Sequence, residues 1–217
     1  MIHTYNLDYA LRQLSKISLL VAIVTLLAVK SSAQTLTTSK AEESVAQLSQ
    51  AVAALGSYAV RFTVTVGEYK ASGHYAVGGE RYLLTLGNIE VYGTMQLRYE
   101  IDKSRKEIVI DKVDSSSHNV LSNPLSAFDF IGDDYSAEIL SQNAQESTLR
   151  LTPRQKSEQG GVMEIAIDSR SSLPKSIIYL LSGESVRVDI DHITSVATSP
   201  AKFDESKYQD FEIIDFR

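Results

Sequence analysis

The sequence predicts an α+β domain that is mainly β: a curved antiparallel sheet forming an unclosed β-barrel, with helices covering its concave apolar face. Three observations predict it. Apolar residues alternate with polar ones over one short run after another, the period of half-buried strands. Turn residues separate these runs too closely for crossover helices, so the strands form an antiparallel meander. Helical spacing occurs in only a few places, and a large sheet with one apolar face must curl or be covered.

The 217-residue chain opens with an export signal. Arg12 and Lys16 precede an apolar run from Ile17 to Val29, and Ser31 and Ala33 place small residues before a cleavage point after Ala33. That order defines a secretory signal peptide over residues 1–33, and the run is shorter than the ~20 apolar residues a membrane span needs. Residues 34–217 are then expected to form a single extracytoplasmic domain. Cysteine is absent, which removes disulfides, thiolate nucleophiles, cysteine metal ligands and the acylation site of a lipoprotein. A net charge of −6 without a basic cluster disfavours nucleic acid as a partner.

Ser39, three residues before Glu42, has capping-box spacing. Val45, Leu48, Val52 and Leu55 then make one apolar stripe, and Gly56 stands where a left-handed cap is expected. From Tyr58 the period becomes two: Val60, Phe62, Val64 and Val66 alternate with Arg61, Thr63 and Thr65. Gly67-Glu68 and Gly78-Gly79 turn the chain into runs beginning at Tyr69 and Arg81, and further strands are expected at Ile89–Tyr92, Met95–Ile101 and Lys106–Val113. Asp102 to Arg105 reads as a hairpin tip. Asn123-Pro124 fits a helix cap with proline at the first helical position, opening an apolar helix with Leu125, Phe128, Phe130 and Ile131 that Gly132-Asp133-Asp134 ends. Strands resume at Ser136–Ser141, Thr148–Thr152, Val162–Asp168, Lys175–Leu181, Ser185–Ser195 and Phe211–Phe216. Roughly ten or eleven strands are expected.

Motifs for chemistry are sparse. Asp189-Ile190-Asp191-His192 places its carboxylates and its imidazole on opposite faces of a regular strand, with His192 beside Val186, Val188 and Ile190. Asp133-Asp134 reads as turn chemistry, and His74 and His118 show no metal-ligand spacing. Nucleophile elbows, phosphate loops and zinc-protease helices are missing. A binding protein without catalytic residues, metal or cofactor is expected. Phe62, Tyr75, Tyr82, Leu84, Leu97, Tyr99, Ile108, Ile110, Met163, Ile165, Ile167, Ile177 and Tyr179 stand at alternating positions that can face inward. Such a set fits a filled core and a ligand cavity alike, the core being the commoner outcome.

Four stretches in order resemble the LolA family of lipoprotein carriers, in its divergent Bacteroidetes forms. They are the export signal and helix leading into Tyr58-Ala59-Val60-Arg61-Phe62-Thr63-Val64, and the hairpin Gly73-His74-Tyr75-Ala76-Val77-Gly78-Gly79-Glu80-Arg81-Tyr82. The others are Asn123-Pro124 opening an apolar helix, and the C-terminal pattern from Phe203 to Tyr208 followed by Glu212 to Arg217. The resemblance implies a periplasmic carrier, not an enzyme, that shields the acyl chains of lipoproteins in transit from inner to outer membrane. It implies acylated lipoproteins as cargo, an inner-membrane releasing complex that loads the carrier and an outer-membrane acceptor that empties it; a monomer is expected. Lack of cysteine favours the soluble carrier, since the acceptor is itself a lipoprotein. On this reading Val64 joins the alternating set lining the cavity, while Phe128, Phe130 and Ile131 form its lid. The chain departs from the family where an arginine-proline pair follows the hairpin strand and the arginine holds the lid shut; Arg81 is the stand-in, at shifted register. The chain also has no tryptophan. The alternative is a non-enzymatic envelope assembly or lipid-binding protein on the same fold, with a filled interior and an open edge strand.

Overall fold

Period-two patterning becomes one twelve-stranded sheet. A computed structural model of the chain describes residues 40–113, 125, 128, 131–154, 161–181 and 184–217. The signal peptide and its cleavage point, the capping-box Ser39, the Asn123-Pro124 cap, His118 and Phe130 lie outside the described residues. The strands are β1 (Tyr58–Val66), β2 (Tyr69–Gly78), β3 (Arg81–Leu86), β4 (Ile89–Thr94), β5 (Leu97–Asp102), β6 (Glu107–Lys112), β7 (Tyr135–Gln142), β8 (Glu146–Pro153), β9 (Val162–Asp168), β10 (Pro174–Leu181), β11 (Glu184–Ser195) and β12 (Glu212–Asp215). Their order is β12-β6-β5-β4-β3-β2-β1-β11-β10-β9-β8-β7. The sheet is curved and open, with β12 and β7 at its edges. Neighbours pair antiparallel except β12, which runs parallel to β6. That pair departs from the all-antiparallel expectation, because a connection from Ser195 to Glu212 is long enough to bring the chain back in the same direction.

Helix α1 (residues 40–54) buries Ala41, Val45, Leu48 and Val52. They meet Leu149, Leu151, Met163, Ile165 and Ile167 of β8 and β9 in the main core. The helix ends as expected, with Gly56 at φ 63 and its N–H on the Ala53 carbonyl. Helix α2 is one turn, Ile131–Asp134. It runs straight into β7, so Gly132-Asp133-Asp134 belongs to the turn of helix rather than to a loop after it. Ile131 is buried in the main core.

Pair register fixes which side chains share a face, since residues directly opposite each other point the same way. One rung runs Ile193–Val60–Tyr75–Leu84–Val91–Glu100–Val109 across β11, β1, β2, β3, β4, β5 and β6. Another runs Ile165–Ile177–Val188–Val64. The concave face is therefore apolar from β8 to β4. It turns charged at β5, where Arg98 pairs with Glu100 at 3.5 Å.

A second core lies on the opposite face. Leaving β11, the chain passes Gly78, with Ser199 Cα 3.0 Å from where a Cβ would stand. It then lays Phe203, Tyr208 and Phe211 over Ile101, Ile108 and Ile110. Tyr208 belongs to a 3-10 turn, Glu205–Tyr208, capped by Asp204 accepting from the Ser206 N–H.

Turn carboxylates make this fold sensitive to acid. Asp102 accepts from Ser104 and Arg105, Asp168 from the N–H groups of Ser171 and Arg170, and these contacts hold the carboxyls below their usual range. Asp215, held by Arg217, is lowered to about 2. Groups depressed in the folded state add stability that is complete above the unfolded value of about 4 and is lost as pH falls through the folded values. The melting temperature should therefore hold between pH 7 and 5 and drop below pH ~4; a flat profile down to pH ~2.5 would sink this account.

Candidate functional site

An apolar cavity of about 190 Å³ opens between α1 and the concave face. Its floor is Val60, Phe62 and Val64 of β1, Tyr75 of β2, Leu84 and Leu86 of β3, Ile177 and Tyr179 of β10, and Val188, Ile190 and Ile193 of β11. Val52 in the last turn of α1 and Leu55 just after it, together with Phe128, bound it from above, and Tyr58 and Pro174 complete the lining. Ser49 of α1 donates a 2.8 Å hydrogen bond to the Phe128 carbonyl, tying that residue to the helix. The lining has no formal charge. Its buried hydroxyls stay neutral: burial pushes Tyr75 well up, with Tyr58 and Tyr82 adding to it, and burial likewise raises Tyr179.

Of the sequence-derived site residues, Phe62, Val64, Tyr75, Leu84, Phe128, Ile177 and Tyr179 meet at this cavity. Tyr82 packs beside it with Val77 and Val91, while Ile131, Ile165 and Ile167 are buried in the main core. Leu97, Tyr99, Ile108 and Ile110 stand elsewhere. Register places them on the opposite face: Tyr99 is opposite Tyr92 and Ile110 opposite Tyr99, in the rows that alternate with Val91 and Glu100. The inward expectation fails for them because the apolar half of their strands is covered by the C-terminal segment instead of by α1. Arg81, the stand-in for lid control, lines a separate groove with Lys202 and Phe203, its partner across β4 being Thr94.

Several lining residues escape a reading of the sequence: Val52, Leu55, Tyr58, Val60, Leu86, Pro174, Val188, Ile190 and Ile193. Val60 carries a usable signal, two residues before Phe62 on the same face. Ile193 is hidden by a bulge. Arg61 pairs with His192 but Phe62 with Ile190, leaving Asp191 as the extra residue. The bulge shifts the phase of β11, so His192 leaves the apolar face assigned to it and is exposed, while Ile193 enters the cavity. Among the described residues no group of three or more His, Cys, Asp or Glu is placed to hold a metal ion.

No family profile and no curated protein matches the chain. Solved structures do. An uncharacterized conserved protein from Thermus thermophilus is similar over 81% of this chain and 99% of its own, at 9% identity and a TM-score of 0.52; at that identity it shows the fold alone. A LolA superfamily protein from Nitrosomonas europaea is similar over 77% of this chain and 96% of its own, at 10% identity and a TM-score of 0.38. MucB, in its Pseudomonas aeruginosa complex with MucA, is similar over 78% of this chain at 15% identity and a TM-score of 0.45, and this chain spans 60% of that one.

Proposed function

We propose that this chain is a periplasmic carrier that shelters an acyl chain of a lipid-modified protein during transfer between membranes, after removal of residues 1–33 from a single domain over 34–217. The observation that carries the reading is the uncharged cavity, apolar but for its tyrosine hydroxyls, between α1 and the concave face. A scaffold on the same fold would have a filled interior. A cavity of roughly 150 Å³ takes up benzene, so about 190 Å³ seats a short length of acyl chain. Each methylene withdrawn from water contributes ~0.8 kcal/mol, enough for affinity without chemistry. An acyl donor at the inner membrane and an acceptor at the outer membrane complete the cycle, and the acceptor must bind the chain more favourably than this cavity does.

Phe128→Glu tests it. A carboxylate at the edge of an apolar cavity must be desolvated when the ligand enters. Uptake of a fluorescent apolar probe should fall about tenfold or more, which is ~1.4 kcal/mol, with the circular dichroism spectrum unchanged. Uptake equal to that of the wild type counts against the assignment. Native mass spectrometry of the protein isolated from the envelope should find acylated protein bound in stoichiometric amount.

A further inference from the structure

The groove that takes in Arg81 lies on the face opposite the acyl cavity, between the ends of β3 and β4 and the returning C-terminal segment. It measures about 290 Å³ and is lined by Arg81, Tyr92, Thr94, Tyr99, Lys202 and Phe203, with Gly93 and Ala201. Its wall is a stack: the Tyr99 and Phe203 rings lie 4.3 Å apart at 13°, and Tyr92 meets Phe203 edge-on at 6.0 Å.

Two cations line this groove. Arg98, Arg105, Arg150, Arg154, Arg187 and Arg217 each form an ion pair with a carboxylate. Arg81 and Lys202, like Arg61 and Arg170, have none among the described residues, and these two line one groove in a chain of net charge −6. The Thr94 hydroxyl is occupied, accepting from the N–H groups of Gln96 and Leu97. Recognition there falls to the two cations.

We propose that this groove is a second ligand site, distinct from the acyl cavity, and that it takes a phosphate group. A guanidinium offers two parallel N–H donors to an oxyanion, and an ammonium adds a point charge beside it. Together they suit a group with three or four oxygens and more than one negative charge better than a carboxylate. The aromatic stack receives the apolar or planar body that bears the phosphate. Two sources share this chemistry, a free phosphate ester and the headgroup of a lipid.

The test is isothermal titration of the purified chain with glycerol 3-phosphate and with monomeric short-chain phosphatidic acid, beside the Arg81→Gln/Lys202→Gln double variant. Glycerol 3-phosphate cannot enter an uncharged apolar cavity, so its binding reports on the groove. The wild type should bind, and the double variant should lose about tenfold or more in affinity while its apolar-probe uptake stays unchanged. Binding of the ester alone assigns a free phosphate; an added, variant-sensitive site for the lipid assigns a headgroup. Failure of the wild type to bind either ligand overturns the proposal, and so does equal binding by the double variant.

Discussion

Tyr208→Ala should destabilise the fold by about 3–5 kcal/mol, the range for removing a buried aromatic side chain. Tyr208 is 9% exposed and stacks on Phe203 at 5.8 Å and 9°, with Phe211 edge-on at 5.2 Å. Under this lid Ile101 and Ile108 are fully buried. The ring also holds a polar cluster. Its hydroxyl donates to Glu90 Oε2 at 2.8 Å, Lys103 holds Glu90 Oε1 at 2.6 Å, and the Tyr92 hydroxyl stands 3.3 Å away. Burial pulls the Glu90 carboxyl up, but Lys103 and Tyr208 together outweigh it and set it below its usual range. Tyr208→Phe keeps the packing and removes one donor to a carboxylate that retains Lys103, so its cost should be about 1 kcal/mol. Urea unfolding at constant m separates the two variants. If Tyr208→Ala lies within ~1 kcal/mol of the wild type, the outer face is not a core.

That outer core marks where the sequence stops being legible. Helix α1 can be read from Val45 to Gly56 because its stripe and its cap are local. The hairpins can be read because Gly67-Glu68 and Asp102 to Arg105 are short turns between alternating runs. In β5, Leu97, Tyr99 and Ile101 alternate with Arg98, Glu100 and Asp102, and alternation states that one face is apolar without stating which face is concave. Register decides that. The two-residue turn Met95-Gln96 sets Gly93 opposite Arg98, and Gly93 lies opposite Tyr82 on the cavity side, so Arg98 and Glu100 are concave and Tyr99 is not. The count through that turn is local, but the apolar cover that makes an outward Tyr99 stable comes from Phe203, more than a hundred residues later. The β11 bulge is a different kind of failure. An extra residue at Asp191 leaves no mark in composition, yet it inverts the phase of all that follows. For β10, Ile177 to Leu181 is apolar throughout, and only pairing with Val188 and Ile165 turns Ile177 inward.

Two glycines on the concave face should respond differently to the same added methyl group, and the difference measures whether the cavity yields. At Gly93 a Cβ would stand 2.1 Å from the Cε1 and Cζ atoms of Tyr82. Tyr82 is 2% exposed and packed with Val77 and Val91, so its ring has nowhere to go. Gly93→Ala should cost about 3 kcal/mol, at the upper end for overpacking. At Gly73 the Cβ would stand 2.3 Å from Phe62 Cζ and 2.9 Å from the Thr85 carbonyl oxygen. Phe62, unlike Tyr82, borders the cavity, and its ring can swing into that space. Gly73→Ala should therefore cost less than Gly93→Ala, about 2 kcal/mol with the Thr85 carbonyl also having to give, while the displaced Phe62 ring fills the cavity and lowers probe uptake about tenfold or more. Phe62→Leu in the Gly73→Ala background removes the clashing ring atoms and should recover uptake and part of the stability, the contact with the Thr85 carbonyl remaining, a coupling that a double-mutant cycle reads directly. Should Gly73→Ala keep full probe uptake, the probe does not occupy the space beside Phe62, and the proposed acyl site would have to be sought elsewhere on the concave face.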